Sequence, residues 1–490
     1  MDQSKAPILD ALTDYHRMDR YGFTPPGHRQ GRGADVRTRE ALGQDTFHSD
    51  VLSTAGLDDR KSSNGYLSTA EQLMAEAVGA DKAFFSTCGS SLSVKASILA
   101  VTQGKGDLLI GRDAHKSVVA GLILSGLQPR WINPQYDSEL HIAHPPSPEE
   151  VEKMWQRYPD ARAALIPSPT PYGTCADIAK IAEICHSRGK PLIIDEAWGA
   201  HLPFHDRLPT WAMDAGADIC VVSVHKMGMG FEQGSIYHLQ GNLVDSTRLS
   251  QCADLLSTTS ANVMIYAAID GWRRHMVQDG TNILERTLNL TDRVREDIEQ
   301  LEGIHVLGPE LIRAEASHDF DPLHVLMDVS GLGISGYQAA DWLRANCRLD
   351  VGLNDHRRIE ATLSQADNEE TTGRLLDGLR QLIKAAPDMP EPKKVELPEW
   401  KDLEADAVML PRDAFFGPVE NVPFDEAAGR ISAEQITPYP PGIPAVLPGE
   451  RINQRVLDYL RSGAEAGMVL PDPADPGLKT IRVVAHQRDS

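Results

Sequence analysis

The sequence predicts an α/β protein built on a mostly parallel, doubly wound sheet, and two observations predict it. Short apolar runs recur along the first half of the chain, each followed by a stretch of helical length, which is the βα alternation that feeds parallel sheets. The clusters of Gly, Ser, His, Asp and Lys come directly after those runs, and ligands of doubly wound sheets bind beyond the carboxyl ends of the strands. At 490 residues the chain is too long for a single hydrophobic core, so more than one domain is expected.

Composition narrows the class. With 41% hydrophobic and 24% charged residues the chain reads as an ordinary soluble globular protein. Its net charge of −22 argues against nucleic acid or an anionic membrane as the main partner. An acidic balance suits a cationic small substrate, although acidity by itself speaks mostly to solubility. The six cysteines (Cys88, Cys175, Cys185, Cys220, Cys252, Cys347) lack paired metal spacing and fit free thiols in a reducing cytoplasm. The N-terminus has no apolar signal region, and no uninterrupted apolar stretch reaches the roughly 18 residues that a membrane span needs. Neither export nor membrane insertion is expected.

Residues 1–65 are polar and turn-rich after one amphipathic segment, Ile8 to Met18. Within them Thr24-Pro25-Pro26-Gly27-His28-Arg29-Gln30-Gly31 is a rigid loop that fits either an arm presenting His28 and Arg29 to a site or a linker. From Ser68 the alternation begins, with a helix over Thr69 to Val78 and a strand over Ala83 to Phe85. Ser86-Thr87-Cys88-Gly89-Ser90-Ser91 then opens a helix over Leu92 to Val101. Glycine and hydroxyls at a helix N-terminus suit a phosphate, because free N–H groups and the dipole favour an anion; serines also simply cap helices. A strand over Asp107 to Ile110 leads through Arg112-Asp113-Ala114-His115-Lys116-Ser117 into a helix over Val118 to Ser125. Strands over Ala163 to Ile166, Pro191 to Ile194 and Ile219 to Val222, with a helix over Ile178 to Ser187, continue the pattern.

Two motifs mislead. His201 and His205 have the spacing of a zinc helix, but Pro203 lies between them and no Glu follows the first, so no metal site is expected. Gly331-Leu332-Gly333-Ile334-Ser335-Gly336 sits between a strand (Val325 to Val329) and a helix (Tyr337 to Ala345) like a dinucleotide fingerprint. Only one further strand-like run, Ala361 to Leu363, follows before the proline-rich region, which leaves no room for the second half of a dinucleotide sheet. An amphipathic helix over Thr371 to Ala385 precedes a linker, Pro387 to Pro398, and a separate C-terminal unit with the fixed loop Thr437-Pro438-Tyr439-Pro440-Pro441-Gly442-Ile443-Pro444 before Glu450.

The stretch Ser223-Val224-His225-Lys226-Met227-Gly228-Met229-Gly230 organises the rest. A lysine after an apolar strand, among small residues, has the backbone room and partial desolvation that a Schiff-base lysine needs. Asp195 ends the preceding apolar run. A lysine with an upstream carboxylate suggests pyridoxal 5′-phosphate, whose two defining protein partners are an imine-forming lysine and a carboxylate at the pyridine nitrogen.

These motifs, taken in order with Pro26-Gly27-His28, Pro169-Thr170-Pro171-Tyr172-Gly173, Asp195-Glu196-Ala197, Gly199-Ala200-His201, Thr258-Thr259-Ser260 and Asp328 to Gly336, resemble the Orn/Lys/Arg decarboxylases of PLP fold type I over nearly the whole length. The resemblance implies a seven-stranded, mainly parallel sheet in a PLP-binding large domain (66–305), preceded by an arm (1–65). A small α+β domain (306–386), a linker (387–400) and a C-terminal decarboxylase domain (401–490) follow. It implies that Lys226 carries the cofactor, Asp195 pairs with its ring nitrogen, His115 stacks on one ring face and Ala197 lies behind the other. Gly89, Ser90, Ser91, Ser223 and His225 would hold the phosphate, with Thr258 and Ser260 reaching it across a homodimer, or a dimer of dimers, with shared active sites. Lys226 or His225 would return the proton to Cα. His28, Glu420 and Glu450 would contact the substrate.

The implied reaction is decarboxylation of a basic L-amino acid, arginine to agmatine first and lysine or ornithine next, in a short cytoplasmic enzyme of polyamine biosynthesis. The chain departs from the family at Trp198, where His is usual, at Ala261-Asn262, and over Met227 to Glu232. Those departures keep a PLP-dependent aminotransferase or oxidative deaminase open as alternatives, and a PLP-binding pseudoenzyme regulating a partner as a third.

Overall fold

A computed structural model describes residues 1–51, 65–102, 104–312, 317–398, 406–439 and 442–486. Part of the predicted arm (52–64), the junction of linker and C-terminal domain (399–405), and Pro440 and Pro441 of the proline loop lie outside the described residues. The chain divides into two compact units, Met1–Val101 with Ile178–Ile283, and Thr102–Asp177 with Leu284–Ser490.

Seven strands of the predicted α/β type are present, four in the first unit and three in the second. In the first unit the hydrogen-bonded order is Lys82–Ser86, Ser235–Leu239, Ile219–Ser223, Leu192–Asp195. The last two are parallel, with Ile193 opposite Ile219 and Asp195 opposite Val221. Both are buried along their whole length, as expected for Val/Ile-rich runs covered on two faces. Ser235–Leu239, which the apolar pattern does not announce, runs antiparallel to both of its neighbours. Its register sets Ser86, Ser235 and Ser223 side by side at one edge of the sheet. The helix Ile178–His186 buries Ile178, Ile181, Ala182 and Cys185, the stripe that a 3.6-residue period aligns.

The arm packs within the same unit. Its helix Pro7–Arg17 is fastened where the Ile8 N–H donates to Asp270 Oδ2 at 2.9 Å, while Arg273, itself paired with Asp270 at 2.9 Å in full burial, donates to the Lys5 carbonyl. Asp270 and Arg273 belong to a 37-residue helix, Val263–Glu299, that the sequence reading does not anticipate.

In the second unit Ala164–Pro167, Asp107–Gly111 and Gln128–Ile132 are parallel neighbours. The helix Lys116–Ser125 connects the last two and ends on Gly126 at φ +71, a left-handed cap that glycine adopts at little cost. A four-stranded antiparallel sheet follows, in the order His305–Val306, His324–Asp328, Arg358–Thr362, Leu353–Asn354, over a core that includes Val325, Met327, Leu343, Ile359 and Leu379. The Gly331 to Gly336 motif is the turn out of this antiparallel sheet into the helix Gly336–Cys347, capped by Ser335 and Gln338. Such a sheet offers no dinucleotide crevice. The C-terminal part adds the antiparallel pair Val419–Pro423 with Thr480–Val484 and the helix Gln454–Ala466.

Among the described residues no helix is long and apolar enough to cross a membrane, and no three His, Cys, Asp or Glu side chains cluster as metal ligands. His201 and His205 flank a short 3-10 turn, Leu202–Phe204, rather than one face of an α-helix. All six cysteines are free thiols.

Candidate active site

Most of the predicted cofactor-binding residues lie in the first unit, at the carboxyl ends of its parallel strands. Ile219–Ser223 passes directly into one helical turn, Val224–Met227, that carries His225 and Lys226. The turn is tight. A Cβ at Gly228 would come within 2.8 Å of the Val224 carbonyl oxygen, and one at Gly230 within 2.9 Å of Val224 Cγ1. Met229, at φ +61, is left exposed. The Met227 to Glu232 departure from the family therefore forms a close loop over Val224 and leaves Lys226 on its turn.

Lys226 is half-buried, and its Nζ lies 4.1 Å from the centroid of the Trp198 ring. Desolvation pushes its amine down to about 8, and the carboxylate of Asp195 opposes that shift. Asp195 is 6% exposed. Burial raises its carboxyl to about 6, against the pull of Lys226 and of the Ala197 backbone N–H. Asp195 Oδ1 is buried and has no hydrogen-bond partner among the described residues. An unmet acceptor in a buried site is costly unless something donates to it, and a pyridine nitrogen carrying a proton is such a donor. Ala197 is half-buried, and its carbonyl accepts from the Ser223 N–H at 3.3 Å.

The anion end is also assembled. The predicted helix starts three residues earlier than its apolar pattern, at Gly89, so Gly89, Ser90 and Ser91 form the first turn of a 13-residue helix. Gly89 sits at φ +72 and donates its N–H to the Gln233 carbonyl at 2.9 Å. Ser223 Oγ donates to Ser90 Oγ at 2.8 Å, which joins the lysine strand to the helix N-terminus. His225 Nδ1 is 3.0 Å from the Gly234 carbonyl. A carbonyl only accepts, so that nitrogen carries the proton and, in the neutral ring, Nε2 keeps its lone pair. Donors, a helix dipole, an enclosed lysine and an unmet carboxylate oxygen together fit pyridoxal phosphate.

The remaining candidates are placed as follows. Thr258 and Ser260 are exposed and bonded to each other at 3.1 Å. His28 Nε2 is 3.0 Å from Asp50 Oδ2, with its ring edge-on to Phe47. In the second unit, His115 is the half-buried N-cap of Lys116–Ser125. Glu420 lies exposed on Val419–Pro423, where Arg430 occupies its carboxylate at 2.5 Å. Glu450 is buried, raised to about 7 by desolvation, and lies 3.4 Å from the Arg112 guanidinium.

Three features escape the sequence reading. Trp198 is visible as a departure, but its place beneath the Lys226 amine depends on the fold. Glu196, fully buried beside Asp195, accepts from Cys220 Sγ at 2.9 Å, and burial pushes both groups well above their ordinary values. A cavity of about 150 Å³ in the second unit is lined by Tyr136, Tyr172, Tyr337, Tyr459, Asp355 and His356 among others. Asp355 and Arg358, partners at 2.9 Å, come from Asp355-His356-Arg357-Arg358, a charged cluster that no motif singles out.

The family model for the Orn/Lys/Arg decarboxylase major domain matches residues 6–347, and that for the Orn/Lys/Arg decarboxylase C-terminal domain matches residues 399–474. The arginine decarboxylase of Bacillus subtilis is 35% identical, covering 100% of this chain and 99% of that protein. That of Halalkalibacterium halodurans is also 35% identical, over 98% of each. Among solved structures, lysine decarboxylase A from Pseudomonas aeruginosa has the same fold, with a TM-score of 0.81 at 22% identity, covering 98% of this chain and 80% of that one. The chain belongs to the Orn/Lys/Arg decarboxylase family.

Proposed function

We propose that the protein is a PLP-dependent decarboxylase that converts arginine to agmatine, with lysine and ornithine as the next substrates in order. The observation that carries the chemistry is the facing pair of Lys226, its amine lowered to about 8, and Asp195, whose Oδ1 awaits a donor. Arginine comes first because arginine decarboxylases match the chain end to end.

Pyridoxal phosphate, when bound, supplies an aldehyde for an amine and a ring that accepts the electrons released as CO2 departs. The protein's own groups then have defined tasks. Asp195, ionised above pH about 6, would accept a hydrogen bond from the protonated ring nitrogen and hold that proton in place. Ser90 and Ser91 present first-turn N–H groups to the phosphate, and Ser223 fixes Ser90. Lys226 reaches the neutral, nucleophilic form more readily than an exposed lysine does, and it or His225 would return the proton to Cα. His225, with Nδ1 committed to Gly234, has only Nε2 for proton transfer or for the phosphate. His115 would be the residue that stacks on the ring, as the family resemblance implies. Thr258 and Ser260, exposed on one chain, fit a contact with a second copy, and a homodimer is the expected assembly. Glu420 faces Arg430 and Glu450 Oε2 faces Arg112, so a substrate guanidinium would compete with those partners for either carboxylate.

A second reading keeps the cofactor and changes the outcome to transamination or oxidative deamination. The observation that favours it is Trp198 against the Lys226 amine, where the family usually has His. Mass spectrometry of products from equimolar arginine, lysine and ornithine separates the two. Release of CO2 and agmatine is expected, whereas a keto acid, peroxide or pyridoxamine phosphate in their place would overturn decarboxylation. Absence of any turnover, with cofactor trapped on Lys226, would support the regulatory pseudoenzyme.

A further inference from the structure

The stretch Met227 to Glu232, where the sequence departs from its family, opens a loop of the first unit that is pinned at both ends. At its start the Gly230 N–H donates to the Val224 carbonyl at 3.2 Å. At its end the Gly234 N–H donates to the Phe231 carbonyl at 3.0 Å, which folds Phe231 to Gly234 into a turn. Met229 and Gln233 both adopt the left-handed region, at φ +61 and φ +72. Residues other than glycine stay there only where their surroundings hold them, so the loop has a set shape. Met229, Phe231, Glu232 and Gln233 are exposed, and the loop meets the site through its backbone.

Two adjacent carbonyls make that contact. Gly234 accepts the Val224 N–H at 2.9 Å and the Nδ1–H of His225 at 3.0 Å, and so grips the helical turn that carries Lys226. Gln233 accepts the Gly89 N–H at 2.9 Å, at the first residue of the helix whose N-terminus forms the anion end. One peptide link thus joins the lysine turn to the anion cradle. The strand that follows is tied to the same helix, where Ser235 Oγ lies 3.0 Å from Ser93 Oγ in full burial. Gly234 has no space for a side chain, since a Cβ would stand 2.9 Å from the Phe231 carbonyl oxygen.

We propose that the 228–234 loop is a positioning element that sets the Lys226 turn by reference to the anion cradle, so that an anion held there improves the presentation of the lysine amine to an aldehyde. The inference rests on the reading of Lys226 as the cofactor lysine and of Gly89 to Ser91 as its phosphate site. An anion drawn to the first-turn N–H groups fixes the helix N-terminus. Gln233 passes that restraint to residue 234, and Gly234 passes it to Val224 and His225. The result is a coupling between two halves of one site, and it acts equally in both directions.

Pyridoxal, which lacks the phosphate, separates the halves, because inorganic phosphate then occupies the cradle by itself. Imine formation between pyridoxal and Lys226 is followed in the cofactor-free, full-length protein by absorbance and by borohydride trapping with mass spectrometry. Saturating phosphate is expected to strengthen it about fivefold or more. In Gly234→Ala, which displaces the shared carbonyl, and in Gln233→Gly, which loosens the loop, the gain is expected to fall below about twofold. Thermal unfolding confirms that each variant is folded. No effect of phosphate on pyridoxal in the wild type, or the same effect in both variants, would overturn the positioning role. Failure of phosphate to compete with PLP in the wild type would instead remove the anion reading, and the proposal with it. Nitrogen NMR of the imidazoles gives an independent readout. The His225 proton is expected on Nδ1 in the wild type and shared between the ring nitrogens in Gly234→Ala, and an unchanged tautomer would count against the hold of Gly234.

Discussion

Asp195→Asn tests the centre of the proposed chemistry, because it keeps the side-chain shape and removes one charge. Asp195 titrates at about 6 and Lys226 at about 8, so near neutral pH both are largely charged and each favours the other's charged form. An opposite charge at close range moves a pKa by about 1–3 units. Removing it takes away the interaction that raises the Lys226 pKa, which therefore falls further. The neutral amine, roughly 10% of the population at pH 7 with the carboxylate present, becomes about half or more. The variant is thus expected to have a more reactive lysine and a much poorer catalyst. A proton on the cofactor nitrogen would face an amide in place of a carboxylate, and breaking a buried charge pair costs about 3–5 kcal/mol, on the order of 10²-fold to several thousandfold in rate. Two assays separate the effects: CO2 release from arginine at saturating PLP, and the pH dependence of Lys226 modification in the cofactor-free protein followed by mass spectrometry. A variant that decarboxylates within about threefold of wild type would refute the role given to Asp195. A Lys226 amine that titrates at or above the wild-type value would refute the coupling.

The two groups also predict opposite pH dependences of stability in the cofactor-free protein. Asp195 holds its proton to about 6 when folded and releases it near 4 when unfolded, so its contribution to stability falls as pH rises through that window. Lys226 releases its proton near 8 when folded and only above 10 when unfolded, so its contribution rises through that higher window. Urea unfolding across pH, compared with Asp195→Asn and Lys226→Met, checks each limb, and a limb that persists in its own variant is wrongly assigned. Gly199→Ala is expected to destabilise by about 1–3 kcal/mol, because a Cβ there collides with Glu196 Cγ and comes within 2.9 Å of Leu202 Cδ1; an unchanged melting temperature would count against it.

Legibility from sequence followed the range of the interactions. The strands carrying Asp195 and Ser223 were readable because they are continuous apolar runs in covered positions, and they lie within a residue of expectation. Ser235–Leu239 is as deeply buried but was missed, since Tyr237 and His238 interrupt the apolar pattern. His238 is tolerated there because burial drives it down to about 3 and keeps it neutral. The helix Val263–Glu299 was missed although it is the longest element, its pattern broken by Gly271 and Gly280 and by many charges. Within the site, the phosphate cradle and the lysine were local signals. The Trp198 contact with Lys226, and the hold of Arg112 on a carbonyl 332 residues later, depend on pairings that no local pattern encodes.

Asp195 and Glu196 are chain neighbours with opposite fates, one facing the site and the other locked into the interior by Cys220. Cys220 stands opposite Ile194 in the strand pairing, so the thiol reads the phase of the neighbouring strand one residue past its end. A slip of one position would place Glu196 at the cofactor and leave Asp195 in the core. The Glu196 contact can therefore be understood as a parity check on the strand. It carries no chemistry of its own, but it makes the misaligned pairing more costly than the correct one, and so protects the identity of the single carboxylate on which the cofactor depends.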